Sequence, residues 1–172
     1  MKMLLKILGG FVLLLVFIVV GVVMGARFSD GPPFAMVAGG AFTTGELHTG
    51  PEPDWSFVHD IQEVQFQLLN PERSRITWIV EVDGRIFIPS GYMTTTWGKL
   101  WKQWPIEAEK DGRTILRING KLYERNLVRL KDGPLVAPVI AEISRKYAGG
   151  SEFPNDVVTS GYLWVFELQP RS

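Results

Sequence analysis

The stretch Thr77-Trp78-Ile79-Val80-Glu81-Val82-Asp83-Gly84-Arg85-Ile86-Phe87-Ile88-Pro89 decides the fold. β-branched and aromatic residues dominate it, as expected of chain lying on a pleated, half-buried surface. The pattern predicts one strand from Thr77 to Val82 and another from Arg85 to Pro89. Between them stands Asp83-Gly84, a two-residue link whose members tolerate the positive φ angles of a type I′ turn. The pair is therefore an antiparallel hairpin.

Upstream, Glu63-Val64-Gln65-Phe66-Gln67-Leu68 alternates polar and apolar with period two, a third strand that Asn70-Pro71 ends. Downstream, the hydroxyls of Thr94-Thr95-Thr96 are able to cap a helix. Trp97, Leu100, Trp101 and Trp104 follow at i, i+3, i+4 and i+7, on one helical face, with Pro105 as a break before the pattern resumes to Glu109. After the turn at Asp111-Gly112 comes a second hairpin, Thr114 to Ile118 and Lys121 to Leu130 around Asn119-Gly120. Val136, Val139, Ile140, Ile143 and Tyr147 mark another amphipathic helix, stopped by Ala148-Gly149-Gly150, and Gly161 to Leu168 supplies a final strand. The fold class expected is α+β: a small, mostly antiparallel split β-barrel with two outer helices.

An apolar segment precedes it. From Ile7 to Ala26 there is no charged residue. At about 1.5 Å per residue, roughly 20 such residues cross a hydrocarbon layer about 30 Å thick. A cleaved signal peptide has a shorter core, about 7–15 residues, and a small-x-small end; Met24-Gly25-Ala26 presents a bulky Met there, so a retained anchor is expected. Lys2 and Lys6 precede the span, and after Arg27 no basic residue appears before Arg73. Basic residues stay inside, which predicts a single-pass protein of the inner or plasma membrane with a cytoplasmic N-terminus and its domain on the periplasmic or extracellular face. With no cysteine in the chain, lipoprotein acylation is excluded.

The expected divisions are residues 1–27 as anchor, 28–62 as a Gly/Pro-rich linker and lead-in, and 63–170 as barrel. The linker carries Pro32-Pro33, Gly39-Gly40 and Pro51-Glu52-Pro53, and one short strand is expected near Phe34 to Val37. The chain is formally neutral, but unevenly so: seven acidic and no basic residues lie between Phe28 and Glu72, and 15 basic against 11 acidic from Arg73 onward. That mild excess beside six Trp suits a small anionic ligand and lacks the dense basic stripe of a nucleic-acid binder.

The element order, with Arg75-Ile76-Thr77-Trp78-Ile79-Val80, Ser90-Gly91, Trp97-Gly98-Lys99-Leu100-Trp101, Leu116-Arg117-Ile118-Asn119-Gly120-Lys121-Leu122-Tyr123 and the tail Trp164-Val165-Phe166-Glu167-Leu168-Gln169-Pro170, resembles the flavin-binding split β-barrel superfamily. The branch it resembles holds pyridoxamine-phosphate-oxidase-like and deazaflavin-dependent nitroreductase proteins. The resemblance implies an oxidoreductase using FMN or a related flavin, with deazaflavin or haem as variants, and a homodimer with cofactor at its interface. By position it implies Arg73, Arg75, Thr77, Ser90 and Lys99 as phosphate ligands; Trp97 and Trp101, each able to place an N–H at a pocket rim, are further candidates from the residues themselves. Arginine forks, hydroxyls and helix N-termini are the donors a phosphate takes.

The residues themselves leave a second reading open, a non-enzymatic envelope protein binding a partner or lipid-like ligand through a barrel without cofactor. His48 and His59, eleven apart, lack metal-ligand spacing, so no metal site is expected. Ser90 has no nucleophile elbow around it, which argues against a hydrolytic triad with His59 and Asp60.

Overall fold

The computed structural model describes residues 2–34, 37–96, 98, 102–149, 151–154 and 156–171. Helix α1, Lys2–Ala26, is 25 residues long and exposed along its length up to Ala26. It is long and apolar enough to cross a membrane. Eight strands follow: β1 Glu46–Leu47, β2 Glu63–Leu69, β3 Glu72–Trp78, β4 Val80–Val82, β5 Arg85–Ser90, β6 Arg113–Ile118, β7 Lys121–Leu130 and β8 Trp164–Pro170. Helix α2 is Trp104–Lys110 and helix α3 is Val136–Tyr147.

The strands form one curled antiparallel sheet in the order β3-β2-β6-β7-β8-β5-β4, with β1 pairing parallel to β7 at Lys121 and Leu122. Both hairpins form as expected: Asp83 and Gly84 have φ of 53° and 74°, and Asn119 and Gly120 have φ of 51° and 76°. The two ends of the order, β3 and β4, are separated by Ile79 alone. What the sequence presents as one strand, Thr77 to Val82, is thus two strands on opposite edges of the sheet. The correction has a physical cause: at Ile79 the backbone leaves both ladders, and its N–H and carbonyl bond instead to the hydroxyl of Tyr147 in α3.

Phe66, Leu68, Leu116, Ile86, Ile88, Phe166 and Leu168 fill the barrel interior. Alternate residues on its far wall, Phe87 and Val165, are equally buried but point outward, under Val136, Val139, Ile140 and Ile143 of α3. Period-two alternation with both faces covered explains why β5 is nearly continuous in apolar residues. The inner cluster is completed by Trp55 and Val58 of a 3₁₀ segment, Trp55–Asp60, and by Trp104 and Ala108 of α2. Trp104 meets Phe66 edge-on at 4.9 Å between ring centres. Pro105 opens α2 where the sequence pattern placed a break, and its missing N–H is harmless in a first turn. Trp97, Leu100 and Trp101 of that predicted helix lie outside the described residues. The last strand starts at Trp164, three residues later than expected, because Gly161 is taken up in a turn at φ 77°.

Of residues 30–53, the described parts 30–34 and 37–53 follow the sheet. Gly39 exchanges backbone hydrogen bonds with Ser74, donating at 3.1 Å and accepting at 3.2 Å, and Phe42 N–H donates to the Gln67 side chain at 2.6 Å. The strand expected near Phe34 to Val37 reduces to a single bridge between those two residues.

Candidate functional site

Strand β3 pairs with β2 along one edge, and its other edge turns toward β5, where Thr77 Oγ1 donates to the Pro89 carbonyl at 3.4 Å. Among the described residues no ladder joins β3 to β5. A cleft of about 250 Å³ opens there, lined by Thr77, Trp78, Pro89, Tyr92, Lys102 and Tyr162, with Ile143 and Phe153 at its apolar end.

Three aromatic rings shape it. Trp78 has one face covered by Tyr147, stacked at 4.4 Å and 5° from parallel. Tyr92 meets Tyr162 edge-on at 5.3 Å. Tyr92 takes a φ of 64°, a left-handed conformation rare for a bulky residue. It is held by its neighbours: its carbonyl accepts from Thr95 N–H at 3.1 Å and Thr95 Oγ1 at 2.8 Å. Thr95 Oγ1 in turn accepts from Gly98 N–H at 3.0 Å, so one of the three predicted hydroxyls caps the turn. A side chain on Gly98 would run into the Tyr92 carbonyl, which fixes glycine at that place.

The cleft's cation is Lys102, whose ammonium lies 5.6 Å from the centre of the Tyr92 ring. Burial pushes its pKa below the ordinary value. One carboxylate, that of Glu63, also lines the cleft among the described residues. A desolvated ammonium at the mouth of an aromatic cleft is set to attract an anionic group.

The residues predicted as phosphate ligands are distributed differently. Arg73, Arg75 and Thr77 lie opposite Leu68, Phe66 and Val64 in register, and so share the inward-facing side of β3. Of the three, Thr77 lines the cleft. Arg73 Nη1 donates to the Glu72 carbonyl at 2.6 Å, and Arg75 Nη1 to the Ser74 carbonyl at 3.1 Å. Burial lowers the Arg75 pKa, partly offset by the Glu107 carboxylate. Ser90 is 2% exposed, with its hydroxyl directed to Met93 Sδ at 3.5 Å. Trp97 and Lys99 lie outside the described residues. Sequence reading takes Lys102 for the solvated face of an amphipathic helix, and it misses Tyr92's strained backbone and Tyr162.

No protein-family model matches the sequence, and no curated protein matches it. Among solved structures, a conserved hypothetical protein from Mycobacterium tuberculosis aligns at TM-score 0.49 and 11% identity, over 74% of this chain and 84% of that one. A Listeria innocua protein assigned as a pyridoxamine 5′-phosphate oxidase aligns at TM-score 0.45 and 11% identity, over 68% and 90%. The strand order itself is that of a curled antiparallel half-barrel with helices, in agreement with the α+β split barrel expected from the sequence.

Proposed function

We propose that this chain is a membrane-anchored split-barrel protein that binds a small anionic ligand with a flat ring system, a flavin in the first instance, in the cleft between β3 and β5. The observation carrying this reading is the union in one cleft of Lys102, the Thr77 hydroxyl and the rings of Trp78, Tyr92 and Tyr162. The residues fit such a group: rings to flank its plane, a hydroxyl to orient it, and an ammonium to neutralise its charge. The volume in one chain is below the roughly 300–1,000 Å³ of ordinary ligand sites. A second copy of the chain completing the site would supply the difference. A bound flavin would supply electron transfer to a small or membrane-associated acceptor, and the barrel's part is to bind, orient and shield it. In this reading the N-terminus is cytoplasmic and the barrel lies on the outer face, as the basic residues Lys2 and Lys6 favour.

A specific observation favours the second reading, a barrel without cofactor serving as a binding surface. The arginines expected on a phosphate bond to their own backbone, and the Ser90 hydroxyl turns inward. One titration separates the two. Full-length protein in detergent is incubated with FMN, desalted, and scanned for protein-bound flavin absorption. Retained flavin, quenched in fluorescence, supports the redox reading. Protein that retains neither FMN, deazaflavin nor haem makes the cofactor-free barrel the function to pursue.

A further inference from the structure

Three residues, Arg27, Phe28 and Ser29, separate the end of the apolar helix, Ala26, from Asp30, and Asp30 is fixed to the barrel. Its Oδ1 accepts from Arg117 Nη1 at 2.8 Å and from Thr43 N–H at 2.8 Å, its Oδ2 from the Thr44 hydroxyl, and its carbonyl from Arg117 Nη2 at 3.2 Å. Arg117 is pinned from the other side by Gln65 Oε1, at 2.8 Å from Nε and 2.6 Å from Nη2, and it covers the Phe42 ring at 4.1 Å. Beyond Asp30 the chain stays down: a side chain at Gly39 would collide with the Gly31 carbonyl, and Ser74 Oγ donates to the Gly40 carbonyl at 2.6 Å.

The three residues before the clasp have little reach. Fully extended, the stretch from Ala26 to Asp30 spans about 14 Å. They are not extended: Arg27, Phe28 and Ser29 N–H groups donate back to Met24, Gly25 and Ala26 carbonyls at 3.2, 3.0 and 3.3 Å. A headgroup layer is roughly 5–8 Å deep on each side of the hydrocarbon. A helix of 25 residues, about 37 Å long, already exceeds the apolar thickness. Asp30 is therefore at headgroup level whenever α1 spans, and the barrel has no slack with which to stand away. Phe28, 89% exposed, and Phe34, 49% exposed, sit on this approach. Among residues 27–34 the charges are Arg27 and Asp30, and Asp30 is already neutralised by Arg117.

We propose that residues 27–44 are a strap, not a tether, and that it seats the barrel face around Asp30, Thr43 and Arg117 on the lipid headgroups. The barrel is held at one height and one orientation. The cleft between β3 and β5 then keeps a constant aspect toward the membrane surface, suited to ligands arriving along it. The inference rests on α1 spanning, and its test separates the two.

The chain has no cysteine, so single labels are introduced cleanly. Thr43→Cys marks the strap, and Ala141→Cys marks the exposed side of α3 on the far wall of the barrel. Each full-length protein is nitroxide-labelled and reconstituted into phosphatidylethanolamine–phosphatidylglycerol vesicles. Collision with a water-soluble nickel chelate is measured alongside resistance to alkaline carbonate extraction. The expected result is carbonate-resistant protein with collisions at position 43 several-fold below those at 141. Adding Arg117→Ala, or independently Gly39→Val, should raise the position 43 collisions toward those at 141 while the protein stays in the membrane. Carbonate-resistant protein with equal collisions at 43 and 141 overturns the strap and leaves the anchor standing. Protein released by carbonate overturns the anchor and the strap with it.

Discussion

The hydroxyl of Tyr147 lies 3.0 Å from the amide nitrogen of Ile79 and 2.8 Å from its carbonyl oxygen. Ile79 is the residue at which one strand leaves the sheet edge and becomes the other, so its backbone groups fall outside both ladders. Tyr147 accepts from the N–H, and Lys146 Nζ donates to the carbonyl at 2.8 Å as well as to those of Val58 and Ile61. The last turn of α3 thus satisfies the polar groups that closing the barrel exposes. Burial pushes the Tyr147 phenol up to about 12, so it remains a neutral donor and acceptor across the physiological range.

Tyr147→Phe keeps the stack on Trp78 and removes the acceptor for Ile79 N–H. A buried donor left alone costs about 1–3 kcal/mol. The urea midpoint of the full-length protein should fall accordingly, with amide exchange quickening first at Ile79 and Val80. An unchanged midpoint would mean that water takes the hydroxyl's place.

Lys102→Met should weaken binding of an anionic ligand in the cleft by about tenfold or more, the equivalent of one charge-assisted hydrogen bond. Ser90→Ala should leave affinity unaltered, since that hydroxyl faces Met93. Equilibrium titration with FMN, read by fluorescence, compares them. The reverse ranking would move the site to the barrel interior.

Arg125 is 2% exposed and meets Glu52 Oε2 at 2.9 Å, with the rings of Trp55 and Tyr123 at 5.0 and 5.5 Å; among the described residues its Nε has no hydrogen-bond partner. Glu52→Ala strips the charge of its counterion and Trp55 Nε1 of its acceptor, a loss of about 3 kcal/mol. Arg125→Met, which removes the buried charge outright, should be near neutral by the same comparison. Thermal denaturation of both variants checks the asymmetry.

Partial burial acts to raise the Asp30 carboxyl, and is outweighed by hydrogen bonds from Thr44 and Thr43 and by Arg117, which hold it well below its ordinary value of 3.8. A carboxyl depressed in the folded state stabilises above its unfolded value, and that stabilisation is lost as pH falls below about 4. Between pH 7 and 3 the wild-type protein should lose stability more steeply than Asp30→Asn, in which this proton uptake is absent. Parallel pH profiles of urea midpoints for the two would remove Asp30 from the acid response.

Much of the barrel was legible because its signals are local. Asp83-Gly84 and Asn119-Gly120 can adopt turns that few other pairs can, and Val136 to Tyr147 carries a helical stripe that needs no partner to be recognised. The break at Ile79 was hidden because alternation of apolar residues continues through it; what stops the strand is Tyr147, 68 residues away. The docking of the described parts of residues 30–53 was hidden likewise, since Gly39 and Gly31 resemble linker glycines until Ser74 and Arg117 are brought to them. At the cleft, Thr77 was recoverable from its strand position. Lys102 was not, because its burial depends on Tyr92, whose backbone angle only the capped turn at Thr95 explains.

Strand β8 is the final element of the chain, yet it lies between β7 and β5 in the sheet, paired to Leu127 on one side and Ile88 on the other. During synthesis the two hairpins therefore emerge with one naked edge each, and no earlier segment takes the vacant place. Closure waits for Trp164–Pro170. A chain lacking this strand would present two open edges, those of β7 and β5, to proteases and to its neighbours.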